Sequence, residues 1–166
     1  MTLPRVPDCT NCFPQRMIPT SVTGEYVNLD ALSKHPDRKL WVENGYAIVM
    51  IGDKFGFCDA KGKVSIQPQF DEAKSFSEAR AVVRVAGKYG YIDTKGQMIV
   101  KPRFDFAFPF EHGLGAVQVR KKWGVVNLQG DWIKEPTYKR LDPLVGGILA
   151  VTFDGKQGFI NEHGEI

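Results

Sequence analysis

The sequence predicts an all-β domain: an open, twisted, solenoid-like array of tandem 34-residue, three-stranded β-meanders, with propeller-like closure as the alternative. Three observations predict it. Lys54, Lys88, Lys122 and Lys156 recur every 34 residues without a gap, and Gly56, Gly90, Gly124 and Gly158 keep the same step. Asp59, Asp93, Asn127 and Asn161 follow in register, as do Gly62, Gly96, Gly130 and Gly164. Self-similarity at a fixed period is the mark of a repeat architecture. Apolar and polar residues alternate within each copy, the period of a strand. Seventeen glycines and ten prolines are spaced rather than clustered, which implies frequent turns. Propeller blades have four strands and about 40 to 50 residues, so the shorter unit favours the open form.

Residues 1–44 precede the array and are expected to cap it; residues 45–166 hold about four units, the last one incomplete. Each unit opens on "GYAIVMI", "ARAVVRV", "GLGAVQV" or "GILAVTF". Val83 and Val85 flank Arg84, and Val117 and Val119 flank Gln118, the alternation of a strand with one buried face. A tight turn follows, as at Gly87-Lys88 and Asp154-Gly155-Lys156. The next strand, "YGYID", "WGVVN" or "QGFIN", contains a glycine. Glycine inside a strand marks a bulge, a bend or a close backbone approach. The aromatic before it (Phe55, Tyr89, Trp123) covers the gap or packs on the neighbouring unit. "DTKG", "NLQG" and "NEHG" then predict a turn in which the Asp or Asn side chain binds backbone two residues on, closed by a positive-φ glycine. The third strand runs into Pro68, Pro102 or Pro136, which suits a strand end. Phe70, Phe104 and Tyr138, with Phe76, Phe110 and Leu144, read as an interior stripe; exposed, they would stack sugar rings.

The "KWG" triplet, with the spaced glycines, the proline and the aromatic downstream, resembles the bacterial WG-repeat (Trp-Gly repeat) family over roughly residues 45–166. Only Trp123 is the literal tryptophan; Phe55 and Tyr89 stand in for it, and Gln157 departs, which suggests a terminal cap. The resemblance implies a β-rich repeat protein without established catalytic residues. It also implies an immunity or adaptor role beside a toxin or secretion system.

The residues themselves offer little chemistry. Cys9-Thr10-Asn11-Cys12 has the spacing of a zinc half-site, but no second pair exists, and only Cys58, His35, His112 and His163 remain to complete it. A local disulfide and free thiols both remain open for that pair. Cys58 shares its column with Ile92, Val126 and Ile160 and reads as a small buried hydrophobe. His112 and His163 fall in polar columns near turns. The Asp59/Asp93/Asn127/Asn161 column is read as turn-building rather than catalytic. No enzyme activity, cofactor or metal is expected.

A net charge of +3, diluted by 19 acidic residues, does not point to nucleic acid. No segment reaches the roughly 18 apolar residues of a membrane span, so no membrane insertion is expected. A cytoplasmic protein is expected as the sequence stands, or one of the periplasm or cell envelope if a signal peptide was removed. The expected function is that of a protein-interaction module, because a rigid array with side chains that vary between copies suits macromolecular binding. The expected partner is another protein, such as a bacterial toxin or effector. Candidate contact residues are the ladder Lys54, Lys88, Lys122 and Lys156, together with Phe106, Phe108 and Arg140. Phe106 and Phe108 stand where the preceding unit has Glu72 and Lys74. Carbohydrate or cell-wall recognition by exposed aromatics is the alternative.

Overall fold

A computed structural model describes residues 27–28, 44–143, 148–161, 163 and 165. The leader cysteines, His35 and Leu144 lie outside them, as does most of the expected N-terminal segment. The described residues form four sheets, each with its strands in chain order. The first holds β1 (Val27–Asn28), β2 (Tyr46–Ile51), β3 (Lys54–Asp59) and β4 (Val64–Phe70). The second holds β5 (Glu72–Ala73), β6 (Arg80–Val85), β7 (Lys88–Asp93) and β8 (Met98–Phe104). The third holds β9 (Phe106–Ala107), β10 (Gly115–Val119), β11 (Lys122–Val126) and β12 (Trp132–Tyr138). The fourth holds β13 (Arg140–Pro143), β14 (Leu149–Phe153) and β15 (Lys156–Ile160). All pairings are antiparallel except β1 with β2.

The predicted three-stranded meander is present in every complete unit. A short edge strand joins it from the preceding turn of chain: β5 beside β6, and β9 beside β10. One residue, Asp71, Asp105 or Lys139, separates the last strand of one sheet from the first strand of the next. The chain therefore steps between sheets without a loop, and the described residues form an open array with no closed barrel among them.

The hydrophobic cores lie between consecutive sheets. Ile48, Met50, Phe57, Ile66 and Phe70 of the first sheet meet Ala81, Val83 and Ile92 of the second. Val82, Tyr91, Val100 and Phe104 point the other way, onto Ala107, Val117 and Val126 of the third sheet. Ala116, Val125 and Tyr138 then meet Leu141, Leu149, Val151 and Ile160 of the fourth. Strand alternation thus sends odd and even residues into different cores. This corrects the expectation of one buried face: Ala81, Val82 and Val83 are all buried, because each inner sheet is covered on both sides. Arg80 at the start of the strand and the tip-proximal Arg84 and Val85 are partly exposed.

The glycine in the middle strand is explained by its partner strand. Tyr89 pairs with Phe104 and Tyr91 with Val100, so one residue of β7 faces three of β8. The surplus bulges directly over Gly90, where an added Cβ would sit 2.4 Å from the Val100 carbonyl oxygen and 2.9 Å from the Pro102 nitrogen. Gly56 and Gly124 lie under the same bulge, facing Ile66–Pro68 and Lys134–Pro136. The prolines are therefore inside β4, β8 and β12 rather than at their ends. They occupy the bulge, where the ladder asks for no N–H.

The predicted side-chain turns form in all four units, with a second bond that makes them tighter. The Asp93 carboxylate accepts from Lys95 N and Gln97 N at 2.9 and 2.8 Å, and Asn161 accepts from His163 N and Glu165 N at 3.0 and 2.9 Å. Gly62, Gly96 and Gly130 close these turns at φ of 82°, 80° and 89°. Gly96 also leaves room for Ile66 of the sheet before it, and Gly130 for Val100. Cys58 is fully buried with a free thiol, pushed above its usual pKa by that burial.

Candidate functional site

The lysine ladder divides into two kinds of position. Lys54 pairs with Asp71, and Lys88 pairs with Asp105. Each carboxylate also accepts from a hairpin-tip amide, Ala86 N or Arg120 N, at 2.9 and 2.6 Å. These hydrogen bonds, the lysine's foremost, hold Asp71 and Asp105 below the usual carboxylate range. The next residue in that acidic column is Lys139, so the position that pairs with Lys54 and Lys88 in the other units holds a cation in the unit of Lys122. Lys139, Arg140 and Lys156 are exposed, and Lys122 is half-buried. Arg140 forms an ion pair with Asp142 at 2.6 Å.

Phe106 and Phe108 are half-buried rather than freely exposed. Phe106 lies on β9, and Phe108 follows it. Their rings meet edge to face at 5.2 Å, and Phe108 stacks on Trp123 of β11 at 5.5 Å. Phe106 also meets Trp123 at 6.0 Å and Tyr89 at 5.5 Å. Lys74 from the second sheet reaches into this group. Its Nζ donates to the Ala107 carbonyl at 3.0 Å and lies 4.3 Å from the Phe106 ring centre. Burial pulls the Lys74 ammonium below its usual pKa, while the aromatic faces and the nearby Glu72 carboxylate favour the cation.

Beside the cluster, Tyr89 donates to Glu72 at 2.8 Å, and Arg84 packs over the Tyr89 ring at 5.6 Å. Burial first, then the Glu72 hydrogen bond, push the Tyr89 phenol up to about 12. The result is a continuous strip: Glu72, Arg84, Tyr89, Lys74, Phe106, Phe108 and Trp123, running into Arg120, Lys121, Lys122, Lys139 and Arg140. It combines flat aromatic surface with cations, a composition suited to an acidic and apolar protein surface.

The sequence singled out Phe106, Phe108 and Arg140 but not Lys74, Tyr89 or Trp123 as their companions. The available signal was a half-period step: residues 72, 89, 106, 123 and 140 are each 17 apart and trace this edge from sheet to sheet. His112 and His163 are exposed, as their polar columns implied. Among the described residues, no group of three or more His, Cys, Asp or Glu side chains is arranged to hold a metal ion. No helix among them is long and apolar enough to cross a membrane.

No curated protein and no solved structure shows a significant match to the chain. A sequence profile described as "WG containing repeat" matches three consecutive stretches, residues 55–89, 89–123 and 123–156. The stretches begin on Phe55, Tyr89 and Trp123, the aromatics that precede the bulge glycines, so each runs from the middle strand of one sheet to that of the next and shares the period of the stacked sheets. With three tandem matches across most of its length, the chain belongs to the WG containing repeat family.

Proposed function

We propose that the protein is a non-enzymatic binding module that docks another protein on the strip around Phe106, Phe108, Trp123 and Lys74, extended by Lys122, Lys139 and Arg140. One observation carries this reading. The strip lies where the units differ: Glu72, Phe106 and Arg140 share one column, and Asp71, Asp105 and Lys139 another. Structural needs repeat from unit to unit, whereas this surface does not. Half-buried aromatics beside Lys122 and Lys139, for which no carboxylate partner lies among the described residues, suit an acidic, partly apolar partner. An adaptor, or an immunity protein that occludes a toxin or secretion-system component, fits such a surface. Sugar stacking is less favoured, because Trp123 and Lys74 already occupy faces of the Phe108 and Phe106 rings.

The test is affinity capture from the source organism, read by mass spectrometry, with the wild-type protein beside Phe108→Ala and Lys139→Asp. Lys139→Asp rebuilds the acidic residue that faces Lys54 and Lys88 in the other units, and so removes the charge feature without disturbing the core. One protein retained by the wild type and lost by both variants supports the reading. Capture that is identical for all three proteins, or no specific capture, overturns it.

A further inference from the structure

We propose that the junction of the third and fourth sheets is a carboxylate-acceptor site, formed by Lys122, Lys139 and the backbone amide of Asp154 and filled by an aspartate or glutamate side chain of the docked protein. The source of that side chain rests on the docking reading above; the site itself does not.

The two preceding junctions show what such a site holds. Asp71 lies between the first and second sheets, and Asp105 between the second and third. In each, one carboxylate oxygen accepts from a lysine at the start of a middle strand, Lys54 or Lys88. The other oxygen accepts from the first amide of the next hairpin tip, Ala86 N at 2.9 Å or Arg120 N at 2.6 Å. One flat anion thus bridges two donors that come from different sheets.

The third junction repeats both donors and the backbone between them. Lys122 opens β11 as Lys54 opens β3 and Lys88 opens β7. Asp154 and Gly155 hold φ of 47° and 77°, against 49° and 79° at Ala86 and Gly87, so the tip presents its first amide in the same way. Lys139 N donates to the Thr152 carbonyl at 2.9 Å, as Asp71 N does to Arg84 at 2.9 Å and Asp105 N to Gln118 at 2.8 Å. The main chain at Lys139 is therefore placed as at Asp71 and Asp105, and the side chain alone has changed sign. Among the described residues, no carboxylate pairs with Lys122 or Lys139, and no acceptor meets Asp154 N.

The occupant follows from that geometry. Two donors set for the two oxygens of a carboxylate, with the exposed Lys139 beside them, attract such a group from outside the chain. The exposed Lys156 adds positive charge against the like charge of the exposed Asp154 side chain. Phe153 precedes Asp154, is 50% exposed and meets Tyr138 edge to face at 6.3 Å. The matching acid is therefore one with an apolar neighbour.

The experiment reads the site in the full 166-residue chain by amide NMR. The probe is acetyl-aspartate α-amide, with its asparagine analogue at matched ionic strength as the control. The aspartate compound should shift the Asp154 amide saturably at about 10–100 mM. Ala86 and Arg120, whose amides are already bonded, should stay in place, and the asparagine compound should shift none of the three. Lys122→Met should remove the saturable shift. Lys139→Asp should restore an internal anion: without any probe the Asp154 amide moves downfield and exchanges more slowly, and the probe no longer shifts it. No acid-dependent shift at Asp154, or an unchanged Asp154 amide in Lys139→Asp, overturns the site even where capture of a partner succeeds. A larger response to inorganic phosphate than to the aspartate compound overturns the choice of carboxylate. An acid-dependent shift beside capture that is identical for every variant upholds the site and overturns its filling by a docked protein.

Discussion

The second and fourth sheets carry the same columns in different surroundings. In the second, Tyr91 is fully buried against the third sheet, donates to the Phe108 carbonyl at 2.7 Å and packs 4.5 Å from the Phe110 ring. In the fourth, the equivalent Phe159 is mostly exposed, as is Ile148 at 42%. Gln157 and Thr152 share that face with Phe159. The comparison teaches that burial here is a property of stacking. One residue type at one register position is core or surface according to whether another sheet lies over it.

Substitutions in paired columns sharpen that contrast. The largest expected effect is Tyr91→Ala, which empties a fully buried ring site and loses the bond to Phe108; destabilisation of about 3–5 kcal/mol is expected. Phe159→Ala, in the same column, should stay within about 0.5 kcal/mol. Chemical denaturation of both variants checks the pair. Next comes the glycine column. Gly90→Ala drives a Cβ into the Val100 carbonyl and should destabilise by about 2–3 kcal/mol, a cost expected equally at Gly56, which faces the Ile66 carbonyl at the same 2.4 Å.

A smaller effect of opposite sign is expected at the tip of the third sheet's hairpin. Arg120 and Lys121 hold φ of 50° and 65°, the left-handed pair that Ala86-Gly87 and Asp154-Gly155 build with a glycine in second place. Lys121→Gly should therefore stabilise by about 0.5–1 kcal/mol in thermal unfolding. It would also show whether the strained tip serves the strip beside it, through any loss of capture.

The smallest effect concerns alkaline pH. The Tyr89 phenol rises from an ordinary value of 10 to about 12 on folding, chiefly through burial, and burial moves Tyr91 in the same direction. Folding thus favours the protonated phenols. Their contribution is whole below pH 10 and is lost as pH climbs from there through about 12. Tyr89→Phe should flatten part of that loss in unfolding midpoints measured between those limits.

Much of this architecture could be read from the chain because it rests on local chemistry repeated in register. The Asx turns at Asp59, Asp93, Asn127 and Asn161 need only a side-chain oxygen and a following glycine. The middle-strand glycine announced a close approach, but not that the proline two places past a β-branched residue was the group approaching. Two-sided burial stayed hidden, because Arg84 and Val85 near the tip mimic a one-faced strand while Ala81 to Val83 do not. The two-residue strands β5 and β9 are too short to show a period. At the candidate site, Phe106 and Phe108 stood out by departing from their columns. Lys74 and Trp123 did not, since contacts such as Lys74 with Ala107 cross between sheets at a separation no local pattern reveals.

Residue-resolved amide hydrogen exchange of the unliganded protein tests the central claim most directly. If the sheets stack as described, amides of β7, paired on both sides, should exchange only through large-scale unfolding, while amides of the two-residue strand β5 exchange far faster. Matching protection along the two strands would contradict the account.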